Sequence, residues 1–467
     1  MKKFVLVSLF SGAGGLDLGF VQSGFFNIIF ANDILPSAVK TYSANLKLKP
    51  LICNGGKVEA QAGTALACDV ERVDFSPLIG ADVVIGGPPC QDFSIVRGPE
   101  WDRKGIKVKR GRLYAHFVRA LAVLQPKAFL FENVPGLVTA NRGSAFKVIL
   151  EDLSHLNSQW GEVKKVIGNE SWNKSVESYE IIFSEVIDFS EFGAPQKRER
   201  LIIVGIRRDF VKSIDRAWEI KGVFLSVLKR TAGLLSKYPL TAIETFEGAR
   251  LDELDDVYEK VMKKWDRVWL EVNTERAWKW KAEIWDKLTF KSLDDYLAAN
   301  EIKLSSKEEL EEALRQHEET LKELGYHRAP VSNLRLADNT HEVPKEDPAV
   351  IERMKRIPPG ENHEFVRGTK WEVEGRGISL VYRRLHPLKP AYTVVACGGG
   401  GTHGYHYHRE RATLTLRERA RLQTFPDTFL FSGSKTQIRA QIGEAVPPLV
   451  AKKLAQALAD VLNRLEE

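Results

Sequence analysis

The segment Gly86-Gly-Pro-Pro-Cys-Gln-Asp-Phe-Ser94 places a cysteine directly after two prolines. The prolines fix the backbone ahead of Cys90, so its thiol is presented rigidly. A lone cysteine is usually a small buried hydrophobe. Here residues 97–112 follow with seven basic and two acidic side chains, a field that favours thiolate and an anionic ligand. Cys90 therefore reads as a nucleophile. Gly98, Gly105 and Gly111 would let that basic loop hinge. In Phe131-Glu-Asn-Val-Pro135, Glu132 is placed for general acid work or for hydrogen bonding to a ring nitrogen. In Gln196-Lys-Arg-Glu-Arg200, Arg198 and Arg200 alternate onto one side, a geometry suited to phosphate or a base carbonyl. In isolation each of these is more often a solvated loop acid or a charged edge.

A fourth element, Phe10-Ser-Gly-Ala-Gly-Gly-Leu-Asp17, is a glycine turn that lets the backbone approach a ligand closely. A dinucleotide fingerprint needs glycine where Asp17 stands, so a nicotinamide or flavin site fails by one position. Downstream, Asp33 could take ribose hydroxyls and Asp69 could accept from an adenine amino group. Each acid alone is an ordinary turn residue.

These residues need a scaffold. β-rich runs at 4–9, 28–31, 81–85, 128–131, 181–186 and 201–205 alternate with helical stretches that include 36–45 and 114–124. Strands alternating with helices predict an α/β protein with a parallel-type, doubly wound sheet. Ligands of such sheets bind beyond the carboxyl ends of the strands, where Gly12–Gly15, Gly86–Cys90 and Glu132–Asn133 fall, while Gln196–Arg200 directly precedes the strand 201–205.

Taken in this order, the motifs resemble the C5-cytosine-specific DNA methyltransferases of prokaryotic restriction-modification type. The likeness continues in Arg411-Ala-Thr-Leu-Thr-Leu-Arg-Glu-Arg-Ala-Arg-Leu-Gln-Thr-Phe-Pro426 and Gly443-Glu-Ala-Val-Pro-Pro448. It implies an S-adenosylmethionine-dependent, Rossmann-like catalytic domain at 1–206 plus 411–467, and a smaller target recognition domain at 207–410. Phe10, Gly12, Gly14, Gly15 and Leu16 would line the cofactor pocket. Asp33 would bind its ribose, Asp69 its adenine, and Pro88 would lie near the transferable methyl. Cys90 would add to C6 of a flipped cytosine, Glu132 would bond N3 and the exocyclic amine, and Arg200 would reach O2 with Arg198 in support. The basic loop would close over the base, with Ser94 on a phosphate and Gln196 and Thr393 on the DNA. The loop from Cys397 to Tyr405, rich in glycine, could enter a groove.

Two departures stand out. The family usually carries Asn where Glu444 stands, next to the cofactor's carboxylate, and Asp33 is one methylene shorter than the usual Glu. Within the family, the tRNA-methylating branch carries a Cys-Phe-Thr signature that is absent here. A catalytically silent DNA-binding relative is disfavoured by intact Cys90, Glu132 and Arg200.

The 467 residues are too long for one core and predict two or three domains. Residues 240–325 hold 14 basic and 22 acidic side chains and five of ten tryptophans, reading as an acidic helical insertion that phosphates would repel. Residues 326–410 then become the DNA-reading part. The stretch 326–411 is basic overall, carries seven of ten histidines, and reads as a loop-rich module containing strands. His403, His406 and His408 have poor metal spacing and no carboxylate partner, so no metal is expected. A C-terminal helix over 448–465 should return to the first. No run of eighteen apolar residues occurs, so no membrane span is expected. Cys53, Cys68, Cys90 and Cys397 show no paired spacing, which predicts no disulfide and a reducing, cytoplasmic compartment with nucleoid association through DNA. The expected form is a monomer acting on duplex DNA, beside an unbound endonuclease of the same site.

Overall fold

The computed structural model describes residues 3–89, 113–167, 175–373, 381–396 and 404–466. These pack as two compact units. One comprises Met1–Asp188, Glu199–Thr231 and Ala445–Glu467; the other comprises Phe189–Arg198 and Ala232–Glu444. The stretch 207–231 thus packs with the first unit and 411–444 with the second.

The first unit is built on eight strands: β1 (Phe4–Leu9), β2 (Phe26–Asp33), β3 (Lys49–Ile52), β4 (Thr64–Ala67), β5 (Val83–Gly86), β6 (Ala128–Asn133), β7 (Tyr179–Asp188) and β8 (Glu199–Arg207). Their order is β3-β4-β2-β1-β5-β6-β8-β7. Continuous apolar runs such as Val83–Gly86, buried throughout, are those of strands covered on both faces. Pairing is parallel from β3 to β6, while β8 lies antiparallel between β6 and β7. The link from β7 to β8 holds only a single 3-10 turn, Phe189–Phe192, too short to carry a crossover, so the chain turns back on itself. That is the one departure from the expected parallel sheet.

Strands β3 and β4 were not foreseen. Pro50 argues against a strand, yet β3 is the sheet edge, where a missing N–H is tolerated. Helices α1 (Gly15–Gln22), α2 (Pro36–Leu46) and α3 (Leu113–Leu124) follow β1, β2 and the stretch after β5. The C-terminal helix Pro448–Glu466 packs on α1 as expected. At Gly19 a Cβ would stand 2.4 Å from both Ala451 Cβ and the Pro448 carbonyl, so the helices meet backbone to backbone there.

The second unit bears out the helical character of 240–325. Its helices there include α4 (Ala242–Glu247), α5 (Asp255–Lys263), α6 (Glu275–Glu283), α7 (Ser292–Ala299) and α8 (Lys307–Leu324). Helix α4 opens with a capping box between Thr241 and Glu244. The carboxylate of Glu244 also meets buried His317 Nδ1 at 2.9 Å. Trp269, Trp280 and Trp285 form one cluster, with ring centroids 5.4 to 6.5 Å apart. The strands expected in 326–411 are not found among the described residues, which show isolated bridges at Arg384, Ala391 and Tyr405. Buried Arg384 replaces the ladder donors: its guanidinium donates to carbonyls of Met354, Ile357, His406, His408 and Arg411.

Candidate active site

In the first unit the residues expected to form the site lie at the carboxyl ends of β1, β2, β5 and β6. After β1 the chain turns sharply, with Phe10 and Gly12 both at φ 54° and Gly14 at φ 92°. Gly14 is required twice: by its left-handed φ, and because a Cβ would stand 2.7 Å from Leu46 Cδ1. At Gly12 a Cβ would meet nothing within 4 Å, so the turn borders open space there. Gly15 and Leu16 begin α1 and are buried.

The Asp33 carboxylate accepts from Gly12 N at 2.9 Å and from Leu35 N at 2.9 Å. Burial raises its pKa and these amides oppose the rise. Each oxygen keeps lone pairs for ribose hydroxyls. Asp69 caps a turn by accepting from Glu71 N at 3.1 Å. Exposed Ile34 and Ile52, both 63% accessible, add apolar surface at the same strand ends. A glycine turn, two acids and apolar surface at strand ends suit a nucleoside-bearing cofactor.

On β6, Glu132 Oε1 meets Arg200 Nε at 3.1 Å. Desolvation lowers the Arg200 pKa, and the charge of Glu132 works against that fall. A Cβ on Gly87 would stand 2.7 Å from Glu132 Oε2, so the glycine makes room for the acid. Asn133 Nδ2 donates to the Pro88 carbonyl at 3.0 Å and Val134 N donates to Asn133 Oδ1 at 2.8 Å. The chain leading to the cysteine is therefore clamped to the strand that carries the acid. Cys90, Ser94 and the basic loop 97–112 lie outside the described residues.

The second unit holds the other expected residues. Gln196 is fully buried: its amide donates to Leu422 O and Gln423 Oε1 at 2.7 and 2.8 Å, and its oxygen accepts from Val394 N. Expected on DNA, it instead secures the segment beside Thr393. Arg198, expected alongside Arg200, is buried and donates to the carbonyls of Val394 and Gly443 at 3.1 and 3.0 Å. Thr393 donates to Lys197 O at 2.6 Å. Glu444 ends the helix Lys435–Glu444 and is exposed. His406 is buried against the rings of Phe246 and Tyr407, a packing role, and His403 lies outside the described residues.

Three features escaped the sequence reading. Arg119, a lone charge within apolar α3, donates to the carbonyls of Val70 and Val73, each at 2.7 Å, and so holds the turn that follows Asp69. Its position amid alanines and leucines was the available signal. Asp17 is buried beneath the glycine turn, accepting from Tyr42 Oη at 2.7 Å, and burial lifts its pKa to about 6. Finally, Cys53 and Cys68 form a disulfide, correcting the expectation that no cysteines pair. Register explains it: Ile52 lies opposite Ala67 in the β3–β4 ladder, so the next residue of each strand is a cysteine facing the other. Separation by 15 residues hides that pairing in the sequence.

A doubly wound sheet with a glycine turn, nucleoside-suited acids and a carboxylate–guanidinium pair at its strand ends defines a cofactor-dependent group-transfer enzyme. Residues 4–460 match the C-5 cytosine-specific DNA methylase family, and the chain belongs to it. As a member it is a DNA cytosine-5 methyltransferase, with S-adenosylmethionine as methyl donor. It is 64% identical to the DNA (cytosine-5-)-methyltransferase M.ApeKI of Aeropyrum pernix, over 99% of this chain and all of that one. It is 30% identical to the type II methyltransferase M.NgoFVII of Neisseria gonorrhoeae, over 98% of this chain and 87% of that one. A solved structure of a prophage-encoded DNA modification methyltransferase from E. coli shares the fold, with TM-score 0.54 and 21% identity, over 99% of this chain and 100% of that one. Among the described residues no helix is long and apolar enough to cross a membrane.

Proposed function

We propose that the protein is the modification enzyme of a type II restriction system, methylating one cytosine within a short duplex site through Cys90. The Glu132–Arg200 pair, 3.1 Å apart beside clamped Pro88, carries this reading. The cofactor supplies an electrophilic methyl group. Phe10, Gly12, Gly14, Gly15 and Leu16 hold it at the first turn, Asp33 takes its ribose, Asp69 its adenine, and Pro88 borders the methyl.

Cytosine C5 is a poor nucleophile. The Cys90 thiolate forms a bond to C6, which pushes electron density to C5, while Glu132 holds a proton at N3 and accepts from the exocyclic amine. Arg200 steadies Glu132 and reaches O2; Arg198 supports from its carbonyl cage. C5 takes the methyl as its bond to the donor's sulfonium sulfur breaks and leaves a neutral thioether; C5 then loses its proton to solvent, and the Cys90–C6 bond breaks to release product. A stacked base cannot reach Cys90, so the cytosine must be flipped out. Residues 207–410 are assigned to target recognition, with 326–410 reading DNA and the acidic helices held off the duplex. Ser94 and Thr393 are assigned to phosphates, and Gln196 to supporting Thr393. The enzyme acts as a cytoplasmic monomer whose endonuclease partner shares only the site.

The test is transfer of labelled methyl to duplex DNA by the wild type and by Cys90→Ser. Label in DNA only with the wild type is expected. Equal incorporation by both would remove Cys90 from the mechanism, and labelling of tRNA but not DNA would overturn the substrate.

A further inference from the structure

A narrow cleft lies within the second unit, lined by Arg383, Leu385, Tyr392, Thr393, Gly404 and Arg419 among others. Arg419 sits in α9 (Leu416–Leu422) and is 2% exposed, yet its Nη2 has no hydrogen-bond partner among the described residues. The carboxylates around it are engaged elsewhere. Glu418 accepts from Arg411 Nη2 at 3.0 Å and from Thr415 N at 2.8 Å. Glu346 accepts from the Thr413 hydroxyl. Arg439 adds a second positive charge near Arg419, and its own Nε also lacks a partner. Arg383 also lines the cleft, and its guanidinium stacks 4.0 Å over the ring of Tyr392, another lining residue.

A buried guanidinium with unmet donors is unfavourable in the folded chain alone. Arg383 and Arg419 both line the cleft, and arginine donors are suited to an oxyanion. We propose that this cleft seats a phosphodiester of the DNA substrate between Arg383 and Arg419, anchoring the strand at the second unit. The proposal rests on the DNA substrate and assigns residues to it that the catalytic scheme does not use. Burial, followed by repulsion from Arg439, lowers the Arg419 pKa to about 10, so it stays cationic at neutral pH.

The test compares wild type, Arg419→Met and Arg383→Met in binding a fluorescent duplex across a salt series, with thermal unfolding of each. Losing one phosphate contact should weaken binding by roughly tenfold and flatten the log–log salt slope by about 0.9 per contact. Arg419→Met should unfold close to wild type, since the buried donor left unmet in the folded chain goes with the side chain. An unchanged slope in both variants overturns the site alone. A large fall in unfolding temperature for Arg419→Met, with an Arg383→Met slope like wild type, shows a structural arginine and also overturns it. Failure of the wild type to bind duplex overturns the substrate along with the site. A parallel titration with inorganic phosphate separates sources: stabilisation of wild type but not Arg419→Met, with DNA slopes unchanged, would mean a free-phosphate site and defeat the proposal.

Discussion

Gly87 leaves room for Glu132 beside Arg200, since a Cβ there would stand 2.7 Å from Glu132 Oε2. Glu132→Gln keeps the shape but removes the proton-holding charge, so single-turnover methylation should fall about 10²–10⁴-fold. Gly87→Ala should fall in the same direction, since its Cβ would displace the acid. Cofactor binding by isothermal titration should be nearly unchanged in both; a Glu132→Gln rate within threefold of wild type would exclude the acid from the chemistry. Asp17 gives a pH signature. Its folded pKa of about 6 lies above the ordinary aspartate value of 3.8, so the fold binds this proton more tightly than the unfolded chain. The stability it confers is complete below about pH 4 and is lost as pH rises through about 6. Asp17→Asn imitates the protonated form and should therefore equal wild type at pH 4. By pH 8 it should exceed wild type by up to about 3 kcal/mol in denaturant unfolding. Equal curves across that range would show that Asp17 is not desolvated. These roles were half legible. The types and order of Glu132, Arg200 and Asp33 announced a site, but the burial of Asp17 and the divergent partners of Arg198 and Arg200 depend on segments distant in the chain.

Among the elements, the most legible were those with long apolar runs or strong helical period: β1, β6, β8, α2 and the C-terminal helix. Strands β3 and β4 were not, because four-residue strands carry little pattern and Pro50 points the other way. Yet these two carry the Cys53–Cys68 bond, which ties the sheet edge to the strand leading into Asp69. Closing a loop of this size contributes about 3 kcal/mol by limiting the unfolded chain. Reduction, or Cys53→Ser, should lower the unfolding midpoint by a few degrees and weaken S-adenosylmethionine binding, with little change in DNA affinity. A midpoint indifferent to reductant would show that the bond does not form in solution. The turn after Asp69 has a second support in Arg119. Arg119→Met strands two buried carbonyls and should destabilise the fold by about 2 kcal/mol, with a raised KM for the cofactor. A KM equal to wild type would detach that turn from adenine binding.

For the whole molecule, the formal net charge of +6 averages very different regions. Residues 97–112 carry +5 and 326–411 carry +4, while 240–325 carry −8. Much of that negative charge lines α8, where Glu308, Glu311, Glu312 and Glu319 are exposed. If this face stands off the duplex, its repulsion acts only through solvent, where charges beyond about 8 Å are largely screened at physiological salt. Changing all four glutamates to glutamine should then tighten duplex binding less than threefold at physiological salt. The salt slope should change by much less than the roughly 0.9 of one phosphate contact, because the number of phosphates neutralised by cations stays the same. Tightening beyond tenfold would place α8 against DNA and move the recognition surface out of 326–410. The gain at low salt should exceed that at high salt, since the Debye length grows to about 30 Å at 0.01 M. That ordering separates a distant acidic face from one that merely alters folding, whose effect would not track ionic strength.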